Sequence, residues 1–90
     1  MSFAVICHDK PGALQVRKDN RDAHLAYIEE TGVVTLAGPF LNEDGEMCGS
    51  LVILSVGTLE AARAWAAGDP YAKAGLFDKV EVTAWKKVIG

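Results

Sequence analysis

Two short motifs contain the residues of this chain that are best suited to chemistry. The first is Arg21-x-x-His24, and the second is Gly68-Asp69-Pro70-Tyr71. A carboxylate that accepts a hydrogen bond from one ring nitrogen of a histidine fixes the tautomer and makes the other nitrogen a better base. If Asp69 accepts such a bond from a histidine, the pair is suited to removing a proton from a small molecule.

The second motif also has an explanation that needs no function. An Asp before a Pro is a good start for a helix, because the Asp side chain accepts from a free backbone N–H and Pro fits the first helical position. The two roles of Asp69 are compatible, since an ionised carboxylate has several acceptor sites. The sequence alone therefore leaves both open.

The first motif, Arg21-x-x-His24, also has both a functional and a purely structural explanation. With Leu25 and Ile28 as the core-facing pair of a helix, Arg21 falls on the same stripe and His24 on its border. A helix segment starting near Asp19 or Asn20 would place its positive N-terminus beside these side chains, which suits an anionic ligand. In the alternative, Arg21 extends past the helix end to water and His24 is an ordinary border residue.

Other reactive residues show no catalytic pattern. A metal site built from His8, His24, Cys48 and Asp69 would lack any familiar ligand spacing, so we expect no metal and no cofactor. Cys7 and Cys48 form no Cys-x-x-Cys pair and are expected to be reduced thiols of a cytoplasmic protein. Neither a serine-nucleophile elbow nor a phosphate-binding glycine motif is present.

Composition narrows the class of protein. The 90 residues are enough for one domain, expected to cover 1–90, and half of them are hydrophobic, which excludes a disordered chain. A formal net charge of −3 with no basic stripe argues against nucleic-acid binding. The N-terminus resembles no signal peptide, and no apolar run approaches the length of a membrane span.

The elements that must position these motifs follow the order β-α-β-β-α-β. We predict strands at Phe3 to His8, Val33 to Ala37 (ended by Gly38-Pro39), Met47 to Val56 and Lys79 to Val88. Helices are predicted from Ala13 to Thr31, from Leu59 to Ala67, and in a short turn through about Ala74. Thr58 is the expected cap of the second helix, and Asn42 to Gly45 the expected hairpin turn. This order predicts an α+β, ferredoxin-like fold with a four-stranded antiparallel sheet.

The predicted sheet is apolar on both faces. In Leu51-Val52-Ile53-Leu54, successive side chains point to opposite faces, and Trp85 points opposite to Ala84. Helices cover only one face, and the other is too apolar to remain in water. We therefore expect a homodimer that packs through its sheet faces, with further association through an edge strand as an open possibility.

Read in order, the motifs resemble those of the YciI-like proteins of the dimeric α+β barrel superfamily. The matching segments cover nearly the whole chain: Arg21-x-x-His24-Leu25, Gly38-Pro39, Asp44-Gly45, Gly49 with Ser50 to Leu54, Glu60-Ala61, Asp69-Pro70-Tyr71, Gly75-Leu76, Val80-Glu81-Val82 and Trp85. The segment from Leu14 to Asp19 matches no family motif, so any pocket rim that it forms is expected to be this chain's own.

The resemblance implies both a site and a type of reaction. The family is described with an active site of one histidine and one aspartate, which map onto His24 and Asp69. A related branch dehydrochlorinates a small hydroxylated ring. The hypothesis is a cofactor-independent lyase or isomerase with His24 as base, Asp69 orienting it, and Arg21, Ser50 and Tyr71 binding a small substrate. The alternatives are a small-molecule-binding or accessory module without turnover, and a structural domain.

Overall fold

The computed structural model describes residues 1–90 and contains four strands and three helices. The elements are β1 (Ser2–Asp9), α1 (Leu14–Thr31), β2 (Val34–Leu41), β3 (Met47–Ser55), α2 (Leu59–Gly68), α3 (Pro70–Lys73) and β4 (Phe77–Trp85). All neighbouring strands are antiparallel, in the order β2-β3-β1-β4. This confirms the predicted ferredoxin-like α+β fold. None of the helices has the length and apolar character needed to cross a membrane.

The main core lies between one face of the sheet and the helices. Its members are Phe3, Val5 and Cys7 of β1, Val52 and Leu54 of β3, and Ala62, Trp65 and Ala66 of α2. The strand residues alternate because side chains of a strand point to opposite faces in turn. The intervening residues therefore form a second face, on which Ala4 pairs with Ile53 and Ile6 with Leu51.

Local signals set several boundaries as predicted. Thr58 caps α2 by accepting a hydrogen bond from the backbone N–H of Ala61 at 3.1 Å. Gly32 ends α1 with φ of 63°, a conformation that costs glycine nothing. In the hairpin turn, the side chain of Asn42 accepts from the backbone N–H groups of Asp44 and Glu46.

The predicted boundaries of two strands were wrong. β2 does not end at Gly38-Pro39 but continues to Leu41, since it is an edge strand, where a proline's missing N–H can face solvent. β4 begins and ends earlier than predicted, at Phe77 and Trp85. The predicted span of α1 is confirmed, since the helix runs unbroken from Leu14 to Thr31, and no helix starts at Asp19 or Asn20.

Candidate functional site

His24 and Asp69 are in hydrogen-bond contact inside the protein. Nδ1 of His24 lies 2.8 Å from Oδ1 and 3.0 Å from Oδ2 of Asp69, and both residues are buried. The backbone N–H of Tyr71 donates to the same Oδ1 at 2.9 Å, so Asp69 caps α3 while it holds the imidazole. An ionised carboxylate only accepts, so a neutral imidazole here carries its proton on Nδ1 and a lone pair on Nε2.

A clasp between α1 and α2 brings the two residues together. The hydroxyl of Tyr27 donates to the backbone carbonyl of Trp65 at 2.8 Å, and the Trp65 ring N–H donates to Thr31 at 2.9 Å. A Cβ on Gly68 would lie 2.6 Å from the Tyr27 hydroxyl, so glycine permits the close approach of the helices. Tyr27 lies one helical turn after His24 on α1, so these contacts hold the end of α2 beside that turn. Asp69 follows α2 directly and is thereby held next to His24.

His24 lines a cavity of about 220 Å³ between α1, α3 and strands β2 and β3. The cavity is lined by Arg17, Arg21, His24, Leu25, Ile28, Ala37, Gly38, Pro39, Met47, Ser50 and Tyr71. Every side-chain nitrogen or oxygen that is fully shielded from solvent has a hydrogen-bond partner. Nε2 of His24 has no partner, so this atom is not fully shielded although the residue as a whole is buried. That lone pair is therefore accessible from the cavity, where a ligand can meet it.

Tyr71 forms the wall beside the imidazole. Its ring stacks on His24 with centroids 4.0 Å apart and planes inclined by 16°. The guanidinium carbon of Arg17 lies 4.7 Å from the centre of the same Tyr71 ring. Burial raises the pKa of Tyr71, although the charge of Arg17 opposes the shift. The phenol therefore keeps its proton at neutral pH and can donate a hydrogen bond.

Arg17 is a site residue that the sequence analysis missed. Its Nε lies 2.7 Å from Oδ2 of Asp9, and its Nη2 lies 2.8 Å from Oδ1 of Asp9 and 2.9 Å from Oγ of Ser50. Burial disfavours its charge, but the hydrogen bond and charge of Asp9 outweigh burial and raise the pKa of Arg17. The available signal was spacing, since Arg17 precedes His24 by seven residues, which is about two helical turns.

The structure places the predicted ligand-binding residues unequally. Ser50 and Tyr71 are buried, whereas Arg21 is exposed at the edge of the cavity. The prediction that Arg21 shares a buried stripe was wrong, because Leu25, used to define that stripe, is itself 43 % exposed. Because α1 begins at Leu14, Arg21 also lies well inside the helix and away from its N-terminus.

The structure does not bring together the four residues considered for a metal site, His8, His24, Cys48 and Asp69. His8 alternates with Cys7 along β1 and so lies on the sheet face opposite His24, where its ring is 6.2 Å from that of Phe40. No group of three or more His, Cys, Asp or Glu side chains is arranged to hold a metal ion.

Comparison with known proteins places the chain in a family. A model of the YCII-related domain matches residues 1–86. The chain belongs to the YCII-related family. The protein YciI of Escherichia coli O6:H1 is 38% identical over 97 residues, which cover 98% of this chain and 99% of that protein. An uncharacterised protein of Haemophilus influenzae is 35% identical, and the alignment covers 98% of this chain and 99% of that protein. The resemblance read from the motifs is thus confirmed.

Solved structures extend the comparison. The 5-chloro-2-hydroxyhydroquinone dehydrochlorinase TftG from Burkholderia phenoliruptrix AC1100, in complex with 2,5-dihydroxybenzoquinone, shares 38% identity and a TM-score of 0.86. The alignment covers 96% of this chain and 94% of TftG. An antibiotic biosynthesis monooxygenase, at 10% identity and a TM-score of 0.60, shares the fold alone.

Proposed function

We propose that this YCII-related protein is a cofactor-independent acid–base enzyme, of the lyase or isomerase type, for a small cyclic organic substrate. The observation that carries the proposal is the pairing of Nδ1 of His24 with Asp69 while Nε2 faces a cavity. Further support comes from TftG, a dehydrochlorinase of a hydroxylated ring that is 38% identical to this chain.

In the proposed reaction, Nε2 of His24 takes a proton from a C–H or O–H group of the substrate. The electron pair left behind either expels a leaving group from a neighbouring carbon or moves to another atom that is then reprotonated. Asp69 stabilises the imidazolium formed in the first step. Tyr71 and Arg21 line the cavity and donate hydrogen bonds to substrate oxygen atoms, and Ser50 forms part of the cavity wall that the substrate contacts. A positioned base of this kind contributes about 10²–10⁴-fold in rate.

The test compares the chain's two histidines. The wild type, His24→Ala and His8→Asn are incubated with chlorinated and non-chlorinated hydroxyhydroquinones, with chloride release and ring absorbance as readouts. We expect at least about a tenfold loss for His24→Ala and wild-type turnover for His8→Asn, because His8 lies on the opposite sheet face. Equal activity of the wild type and His24→Ala on any substrate that is converted would refute the assignment.

The second candidate function is a binding or accessory module without turnover. The same observation supports it, because a cavity of about 220 Å³ with one free ring nitrogen can hold a ligand without changing it. Thermal stabilisation by members of the panel, without conversion of any of them, would favour this function.

We also propose that the protein is a cytoplasmic homodimer joined through its sheet faces. Support comes from the second sheet face, where Leu36 is 50% exposed and Trp85 38% exposed. Both cysteines are free, which suits a reducing compartment. Light scattering at micromolar concentration should give twice the chain mass, and a monomer would contradict the dimer.

A further inference from the structure

The hydrogen-bond donors of Arg17 are not all used inside the protein. A guanidinium carries five N–H bonds. Nε and one N–H of Nη2 are directed to Asp9, and Nη2 also donates to Ser50. Neither N–H bond of Nη1 makes a hydrogen bond of good geometry inside the protein. The nearest group is the hydroxyl of Tyr71, which lies close enough to the guanidinium to affect the pKa of both residues and lines the same cavity. Every side-chain nitrogen that is fully shielded from solvent has a hydrogen-bond partner, so Nη1 must be at least partly accessible. The cavity that Arg17 lines is the one that also contains His24, so Nη1 is reached from there.

The orientation of these free donors is fixed before any ligand arrives. Arg17 is 2% exposed, and it is held by two hydrogen bonds to Asp9, one to Ser50, and contact with the ring of Tyr71. A guanidinium is planar, so fixing Nε and Nη2 also fixes the direction of Nη1. The site therefore contains a charged donor that a ligand need not order, which lowers the cost of binding.

We propose that Nη1 of Arg17 binds an anionic oxygen of the ligand and so makes the site selective for small organic anions over their neutral isosteres. The inference rests on the proposed function only for a small organic ligand in this cavity. Because Asp9 balances the charge of Arg17, selectivity comes from two directed N–H bonds rather than from net positive charge. Exposed Arg21 adds a long-range attraction that salt screens.

The ligand of the similar dehydrochlorinase agrees with this chemistry. In 2,5-dihydroxybenzoquinone, named in the TftG complex, each hydroxyl is conjugated through a C=C bond to a carbonyl. Such a hydroxyl is acidic like a carboxylic acid, so the compound is an anion at neutral pH. A cavity of about 220 Å³ has the volume of about seven water molecules, which suits a single substituted ring.

The test measures equilibrium binding and needs no turnover. Calorimetry compares 2,5-dihydroxybenzoquinone with 2,5-diaminobenzoquinone, a neutral isostere with the same number of heavy atoms. We expect the wild type to bind the anion at least about tenfold more tightly, as hydrogen bonds to charged groups imply. Equal affinities, or no binding of either probe at millimolar concentration, would overturn the proposal. A protein that shows the preference but never converts a substrate would refute the proposed function and leave this inference standing.

Two variants locate the preference. In Arg17→Lys the single ammonium remains with Asp9, and in Arg17→Met with Asp9→Asn the buried pair is removed together, which avoids an unpaired buried charge. We expect both to lose the preference for the anion, by about tenfold, with affinity for the neutral probe within about twofold. Arg63→Met is the control, since Arg63 is exposed and outside this cavity. An unchanged preference in either folded variant would overturn the assignment to Arg17.

Discussion

Replacing Asp69 by alanine and by asparagine should have clearly different effects on stability. Alanine removes the cap of α3, which costs about 1 kcal/mol. It also leaves the buried Nδ1–H of His24 without an acceptor, which costs about 1–3 kcal/mol. Together these lower the free energy of unfolding by about 2–4 kcal/mol, or about 10–30 °C in Tm for a domain of this size.

Asparagine should be tolerated because one oxygen makes both contacts. Oδ1 of Asp69 accepts from the backbone N–H of Tyr71 and from Nδ1 of His24. A side-chain amide oxygen in that place can keep both bonds, and asparagine is as good a cap as aspartate. We expect the free energy of unfolding to fall by less than about 1.5 kcal/mol, while turnover falls, since the amide NH₂ also fits the wrong histidine tautomer.

The assay is urea unfolding followed by tryptophan fluorescence at one fixed protein concentration, because a dimer's stability depends on concentration. Asp78→Ala serves as the control, since Asp78 is exposed on β4 and surface changes are usually within about 0.5 kcal/mol of neutral. Equal destabilisation by Asp69→Ala and Asp69→Asn would show that the charge of Asp69, and not the shared oxygen, stabilises this site.

Three further predictions concern the sheet and the thiols. Gly49→Ala should destabilise the fold by about 1–3 kcal/mol, because the added Cβ would collide with the backbone oxygen of Cys7. Gly38→Ala is the control, since a Cβ there meets no atom within 4 Å. Chemical denaturation measures both variants, and equal stability of the two would contradict the contact. One thiol should react with Ellman's reagent at pH 8 in the native state and both after denaturation, since Cys7 is buried and Cys48 is not; two fast native thiols would contradict this. Burial raises the pKa of Cys7 from 9.0 to about 12. Above pH 9 the thiol therefore ionises in the unfolded chain but not in the folded protein, so the stability that the buried neutral thiol provides is complete below pH 9 and is lost as pH rises toward 12. The free energy of unfolding should fall over that window by more in the wild type than in Cys7→Val, and equal falls would contradict the assignment.

Much of the fold was predictable because its signals are local. Asp44-Gly45 predicts a tight turn and Thr58 predicts a helix start, and each depends only on its immediate neighbours. The βαββαβ order then follows from counting elements. The errors at Pro39 and at the end of β4 have a different origin, because a residue's place in the sheet, at an edge or in the middle, is decided by strands distant in sequence.

The candidate site was predictable only in part. Two motifs named His24 and Asp69 because their residue types suggest proton transfer. Arg17 offers only its spacing of seven residues from His24, and its residue type argues against a buried site, since an arginine in a polar segment of a helix is normally exposed. Its burial depends on Asp9 and Ser50, which come from two different strands, and only the tertiary structure brings the three together.

The structural and functional explanations of Asp69 are not alternatives in this fold. The cap bond from Tyr71 holds the carboxylate whether or not a ligand is present, and the same carboxylate fixes the ring of His24. Tyr71 in turn contacts both His24 and Arg17, so a single short helix positions the imidazole and the guanidinium at one cavity. A site arranged in this way needs little reorganisation when a ligand binds. It also follows that loss of activity in a variant of these residues identifies chemistry only when the free energy of unfolding is measured beside it.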